Sequence, residues 1–154
     1  MFTQAKLASV GLIAVLFVGC ASVPMAPKDQ SAKMKAFGAP ADGKSGLYIY
    51  RTVGVGTALK KDIWVNDKCV GQSAQNVFFY EEVDGNKEHK VSTESEFSPN
   101  NLMVNTESGK NYFIQQYIKM GVFVGGANLT LVGEAEGKQA VSTLEMAEKG
   151  TCSK

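Results

Sequence analysis

From Gly46 onward the sequence runs in short stretches of Val, Ile, Tyr and Phe, cut at short intervals by Gly, Asn and Asp. Runs with a two-residue period bury alternate side chains on opposite faces, which confines this part of the chain to paired strands. Strands are predicted over Gly46–Val53, Ala58–Asn66, Cys69–Ser73, Val77–Val83, His89–Ser95, Asn101–Glu107, Asn111–Met120 and Ala127–Val132. About eight such strands make a mainly β domain, either an antiparallel β-sandwich or a partly open barrel. Asn66–Lys68, Asp84–Asn86 and Ser108–Lys110 are turn sequences and are expected to join neighbours as hairpins. Near the end the period changes. Ala140, Val141, Leu144 and Ala147 fall at helical spacing, so Glu134–Glu148 reads as a short C-terminal helix, with a final strand as the alternative.

The alternation also sorts the core. Leu47 and Ile49 share a face opposite Tyr48 and Tyr50, Ile63 and Val65 oppose Trp64, Val77 and Phe79 oppose Phe78 and Tyr80, and Ile114 and Ile118 oppose Phe113 and Tyr117. Aliphatic side chains can fill the space between sheets. The aromatics then lie where a simple sandwich carries polar residues. Either the N-terminal segment and the C-terminal helix cover these rings as a second layer, the more economical arrangement in a monomer, or some stay exposed as a surface for a glycan or protein partner. The second option names Tyr48, Tyr50, Trp64, Tyr80 and Tyr117. In Lys119–Leu129, Val122-Phe123-Val124 stands between glycines. This reads as a strand kinked where backbones approach closely, or as an apolar loop tip in which Phe123 meets a partner or membrane.

At 154 residues the chain is long enough for one domain. Lys6 precedes a twelve-residue apolar stretch, Leu7–Val18, which has the layout of a secretory signal and is shorter than the roughly 20 residues that span a bilayer. Without Lys6 the remainder carries 15 basic and 15 acidic residues, a balance that gives no electrostatic reason for a nucleic-acid partner. Leu16-Phe17-Val18-Gly19-Cys20 resembles the lipobox of bacterial lipoproteins, with Phe17 where leucine is usual. The resemblance implies that residues 1–19 are a signal peptide cut before Cys20, whose thiol and new amine take acyl chains. At about 0.8 kcal/mol per buried methylene, two or three chains hold a protein on a lipid bilayer almost permanently. The competing reading is a free cysteine at a helix end. Ala21, where aspartate would retain many such lipoproteins at the inner membrane, implies an outer-membrane anchor facing the periplasm.

Residues 20–45 hold three of the four prolines and read as a tether preceding a domain at 46–154. As a coil, about 25 residues span roughly 30 Å. Within it Asp29 is expected to cap a short helix through Lys35, with Met34 and Phe37 able to dock on the domain. Cys69 and Cys152, the even pair left after Cys20, are most simply read as a disulfide in an oxidising compartment, two unrelated thiols being the alternative. One histidine and two distant cysteines lack the spacing of a metal site, and no cofactor motif occurs.

Signals for catalysis are sparse. His89 is the single histidine, so any histidine base is this residue, but no Gly-x-Ser-x-Gly elbow accompanies it, and it reads as a solvated residue at a strand start. Glu81 with Glu82, and Glu94 with Glu96, have the residue types for glycoside cleavage, which needs two carboxyls about 5–10 Å apart; adjacent strand residues point apart, and the second pair suits a wet face. Gly54-Val55-Gly56 before Lys60-Lys61 lacks Walker spacing and reads as a flexible hairpin loop. No catalytic residue is assigned. The expectation is a non-catalytic protein, with a hydrolase using His89, or an inhibitor acting through Phe123, as alternatives.

The blocks GLYIYR, IWVNDKCVGQ, FFYEEVDGNKEHKVSTESEFSPN and GKNYFIQQYIKMGVFVGGANLTLV, with the lipobox, resemble the bacterial envelope lipoproteins of domain-of-unknown-function family 2846 from about Phe37 onward. The middle hairpins also resemble PEGA-type β modules. These likenesses imply location, fold and a surface or binding role toward an envelope protein or glycan, and they imply no activity.

Overall fold

A computed structural model describes residues 21–153. The expected lipidation site, Cys20, and the signal segment before it lie outside the described residues. The elements run α1 (Lys28–Met34), β1 (Lys44–Arg51), β2 (Lys61–Val65), β3 (Lys68–Ser73), β4 (Val77–Asp84), β5 (Glu88–Thr93), β6 (Asn100–Asn105), β7 (Asn111–Lys119), β8 (Gly126–Val132), α2 (Glu134–Ser142) and β9 (Glu145–Met146). The fold is a β-sandwich of a five-stranded sheet, ordered β8-β7-β1-β4-β9, and a four-stranded sheet, ordered β3-β2-β5-β6. Eight strands sit where the alternation puts them, with ends displaced by at most three residues. β1 and β7 pair in parallel, as do β4 and β9, while the other ladders are antiparallel.

Only one of the three expected hairpins forms as such. Asn66 and Asp67, both with positive φ, turn β2 into β3. Asp84–Asn86 and Ser108–Lys110 instead carry the chain from one sheet to the other, since β4 and β5, like β6 and β7, belong to different sheets. The two corners meet. Ser108 N–H donates to Asn86 Oδ1 at 3.1 Å, and Gly85 packs directly on Ser108. The Gly54–Gly56 loop likewise crosses between sheets rather than closing a hairpin.

Between the sheets lie Leu47, Ile49, Ile63, Val65, Val77, Phe79, Val91, Val104 and Ile114, nearly all inaccessible. The opposite face of the five-stranded sheet carries Tyr48, Tyr50, Phe78 and Phe113, covered by Val141 and Leu144 from the α2 region and by Met34 and Phe37. Tyr48 stacks on Phe113 at 5.0 Å and donates its hydroxyl to Met34 O at 2.9 Å. Burial pushes its phenol up to about 12. Covering is therefore the outcome for Tyr48 and Tyr50, with Tyr80 partly buried against them. The sandwich has a third layer, and Tyr48 and Tyr50, each 1% exposed, do not form a contact surface.

The segment read as a tether is packed onto the domain. Val23 is buried, Met25 bridges to Ala147, Ala26 N–H donates to Met146 O, and Glu148 N–H donates to Pro24 O. Ser31, buried in α1, donates to Glu145 Oε2 and accepts from Met146 N–H. Val23, Met34 and Phe37 lose contact with water only by docking, and the edge strand β9 otherwise presents unpaired backbone groups. The helix begins at Lys28, one residue before the expected Asp29 cap, and no side chain caps it. α2 ends at Ser142 rather than near Glu148, because Glu145–Met146 turn back to pair with Val77–Phe78. Both readings of the C-terminal segment are thus partly realised.

Cys69 and Cys152 form a disulfide, Cα–Cα 6.1 Å. It fastens the tail to β3, and Ser153 adds two hydrogen bonds to Asp62 Oδ2, at 2.8 and 2.7 Å.

Candidate functional site

The six residues named as contacts are scattered. Tyr48 and Tyr50 are core. Tyr80 is half-buried against Tyr48 and donates its hydroxyl to Glu82 Oε1 at 3.1 Å. Trp64 lies half-buried on the outer face of the four-stranded sheet, in a groove with Lys90, Ser92, Pro99 and Asn101. Tyr117, 39% exposed on β7, accepts a hydrogen bond from Asn128. Phe123 alone projects, at 82% exposure.

His89 is buried rather than solvated. Asn66 Oδ1 accepts from Lys90 N–H, so its Nδ2 is the group that donates to His89 Nδ1, at 2.9 Å. Nε2–H then donates to Asp84 O at 2.7 Å. Both ring nitrogens are engaged, and the neutral Nε2–H tautomer satisfies both partners. The ring backs a 220 Å³ cleft lined by Lys44, Lys68, Glu81 and Glu82. Lys149 pairs with Glu81 at 2.8 Å, and Glu82 accepts from Ala41 N–H and from Tyr80. Among the described residues no group of three or more His, Cys, Asp or Glu is arranged to hold a metal ion.

The densest unexplained chemistry is apolar. Three loops, β1–β2, β5–β6 and β7–β8, gather at one end of the sandwich. Parallel pairing of β1 with β7 sends both chains out on the same side, so the loop after Arg51 lies beside the loop after Lys119. A methyl on Gly56 would come within 2.9 Å of Ile118, and one on Gly125 within 2.7 Å of Leu59. Arg51, 3% exposed, spans the first loop from inside. It donates through Nη1 to Leu59 O at 2.7 Å and through Nη2 to Gly56 O. Burial pulls its guanidinium down from the usual value, yet an arginine keeps its charge.

Glu96 ties the second loop to the third. Its carboxylate accepts from the N–H groups of Val122, Phe123 and Val124. Glu94 instead accepts from Asp62 N–H at 3.2 Å. Partial burial raises the Glu96 carboxyl, but the three N–H donors outweigh it and hold the group below its ordinary 4.5. A carboxyl depressed on folding stabilises the native state above its unfolded value and loses that contribution as the pH falls through its native value. Glu96→Ala is expected to speed amide exchange across 121–125 at neutral pH while leaving the global unfolding midpoint almost unchanged. The unmodified chain shows the same loosening as the pH falls below the ordinary carboxyl value of 4.5. Hydrogen exchange followed by mass spectrometry reads both, and protection that is unchanged in the variant overturns the assignment.

Residues 120–125 are therefore a held loop, not a kinked strand. The close backbone approach is nevertheless real, since a methyl on Gly121 would sit 1.8 Å from Val124 O. Held at the tips are Val53, Val55, Phe97, Met120, Val122 and Val124 as well as Phe123, each more than half exposed. Phe97 and Met120 escape a reading of alternation, because a single apolar residue in a polar loop has no period.

Residues 41–127, from just before β1 into β8, match the family described as protein of unknown function, DUF2846. The chain belongs to this family. An uncharacterized protein of Haemophilus influenzae is 56% identical to it over 140 residues, covering 91% of this chain and 83% of that protein. No solved structure matches the chain. The portion matched to DUF2846 contains Arg51, His89, Glu96 and the three loops, whereas α2 and Cys152 lie beyond it.

Proposed function

We propose that this DUF2846 chain is a bacterial envelope lipoprotein, acylated at Cys20 and held on the outer membrane facing the periplasm. Its sandwich acts as a non-catalytic binding or structural module for an envelope protein or polymer. The observation that carries this reading is the position of Ala21. Its N–H donates to Thr57 O at 3.2 Å, so the residue following the lipobox-like cysteine already sits at the domain surface. The Cys69–Cys152 disulfide suits an oxidising compartment. The engagement of His89 by Asn66 and Asp84 favours a structural role for the one residue on which a histidine-dependent hydrolase would rely.

Two substitutions test it. Cys20→Ser is expected to abolish palmitate labelling and globomycin-sensitive processing and to move the protein out of the outer-membrane fraction. Unchanged processing and fractionation would sink the anchor. His89→Gln is expected to cost about 1–3 kcal/mol in urea unfolding, by disturbing buried hydrogen bonds, while leaving any deletion phenotype complemented. A folded His89→Gln protein that fails to complement overturns the non-catalytic reading in favour of the hydrolase.

A further inference from the structure

The geometry points to a second contact with lipid: the apolar loop end of the sandwich dips into the bilayer interface beside the anchor. This rests on the anchored reading of Cys20. Thr57, which accepts the Ala21 N–H, belongs to the β1–β2 loop itself. Cys20 is bonded to Ala21, and consecutive Cα atoms lie about 3.8 Å apart, so an anchor on that residue starts beside this loop.

What this end presents suits that occupant. Val53, Val55, Phe97, Met120, Val122 and Phe123 are between 64% and 85% exposed. Soluble monomers rarely gather so many large apolar side chains on one exposed end. The tips are also held outward, because Arg51 fills the β1–β2 loop from inside and the Glu96 carboxylate occupies the N–H groups of Val122, Phe123 and Val124. The β1–β2 and β7–β8 loops contain no acidic residue, and the two glutamates of the β5–β6 loop each accept from backbone N–H groups. Exposed Lys60 and Lys119 flank the tips, placed to meet anionic headgroups. Interfacial apolar side chains reach about 5–10 Å into the headgroup and acyl boundary, a depth suited to loop tips rather than to a spanning segment. Among the described residues no helix is long and apolar enough to cross a membrane.

The full-length, processed protein tests this in vesicles of phosphatidylethanolamine and phosphatidylglycerol doped with brominated acyl chains. The protein has a single tryptophan, Trp64, on the outer face of the four-stranded sheet, so the unmodified chain is the control. Phe123→Trp and, separately, Met120→Trp place a reporter on an exposed tip. Emission from these positions is expected to be quenched several-fold more than that of Trp64 and to shift to the blue. If both variants float with the vesicles but are quenched no more than Trp64, the anchor stands and the loop contact is overturned, leaving the apolar end to a protein partner. If the chain takes no acyl label yet the tips are quenched in vesicles, the anchored reading falls and the loop contact stands. Neither label nor quenching overturns both.

Discussion

Replacing Cys69 and Cys152 together by alanine lowers the unfolding free energy by about 4–5 kcal/mol, a large fraction of what a domain of this size has to lose. The bond joins positions 83 residues apart, and closing so long a loop removes much of the unfolded chain's freedom. The double replacement is the right form of the experiment, because a single one leaves a reactive thiol on the tail. In urea unfolding the variant should match the unmodified protein in reductant, and both should fall below the unmodified protein without it. The tail has other holds. Gly150 N–H donates to Val70 O at 2.8 Å, and Ser153 donates twice to Asp62. A loss below about 1 kcal/mol would mean that these alone keep the tail folded and that the chain-entropy account fails here.

The second large effect comes from Gly137, in the middle of α2. Helix propensity argues for alanine at this position by about 1 kcal/mol. Packing argues the other way. A β-carbon at Gly137 would lie 2.2 Å from both Cβ and Cγ of Phe113, distances at which one partner must move. Phe113 has nowhere to go, since its ring is stacked on Tyr48 and meets Phe37 edge-on at 5.9 Å. Gly137→Ala is therefore expected to lift α2 from the sheet and to cost a net of about 2 kcal/mol or more, with loss of the near-ultraviolet dichroism of the tyrosine cluster. Ala140→Gly, made as a control on the same helix, removes propensity without a clash and should cost about 1 kcal/mol. A stabilised Gly137→Ala protein would mean that α2 rides higher than described.

Strand positions were legible because they depend on local alternation, which separates Leu47 and Ile49 from Tyr48 and Tyr50 residue by residue. The third layer was legible too, since faces that are apolar on both sides require a cover. Pairing was not. Asp84-Gly85-Asn86 has the same turn chemistry whether the chain folds back on its own sheet or steps to the other, and only the long-range pairing of β4 with β1 and β9 decides. His89 looked solvated because its neighbours are turn residues; its burial depends on Asn66, 23 positions away. The N-terminal segment looked like coil because its few apolar residues have no period, yet each has a place waiting on a distant strand. Of the loop end, Phe123 drew attention through its flanking glycines, while Val53, Phe97 and Met120 became a surface only once three separate loops were brought together.

The stitching of residues 23–26 and Ser31 to Glu145–Glu148 has a bearing on the order of assembly. Ser31 finds its partners 114 and 115 positions downstream, so the sheet edge at β4 stays open until the last of the polypeptide has been delivered. Non-local closures of this span slow folding. A nascent chain therefore has a head unable to settle, and completion waits on its tail.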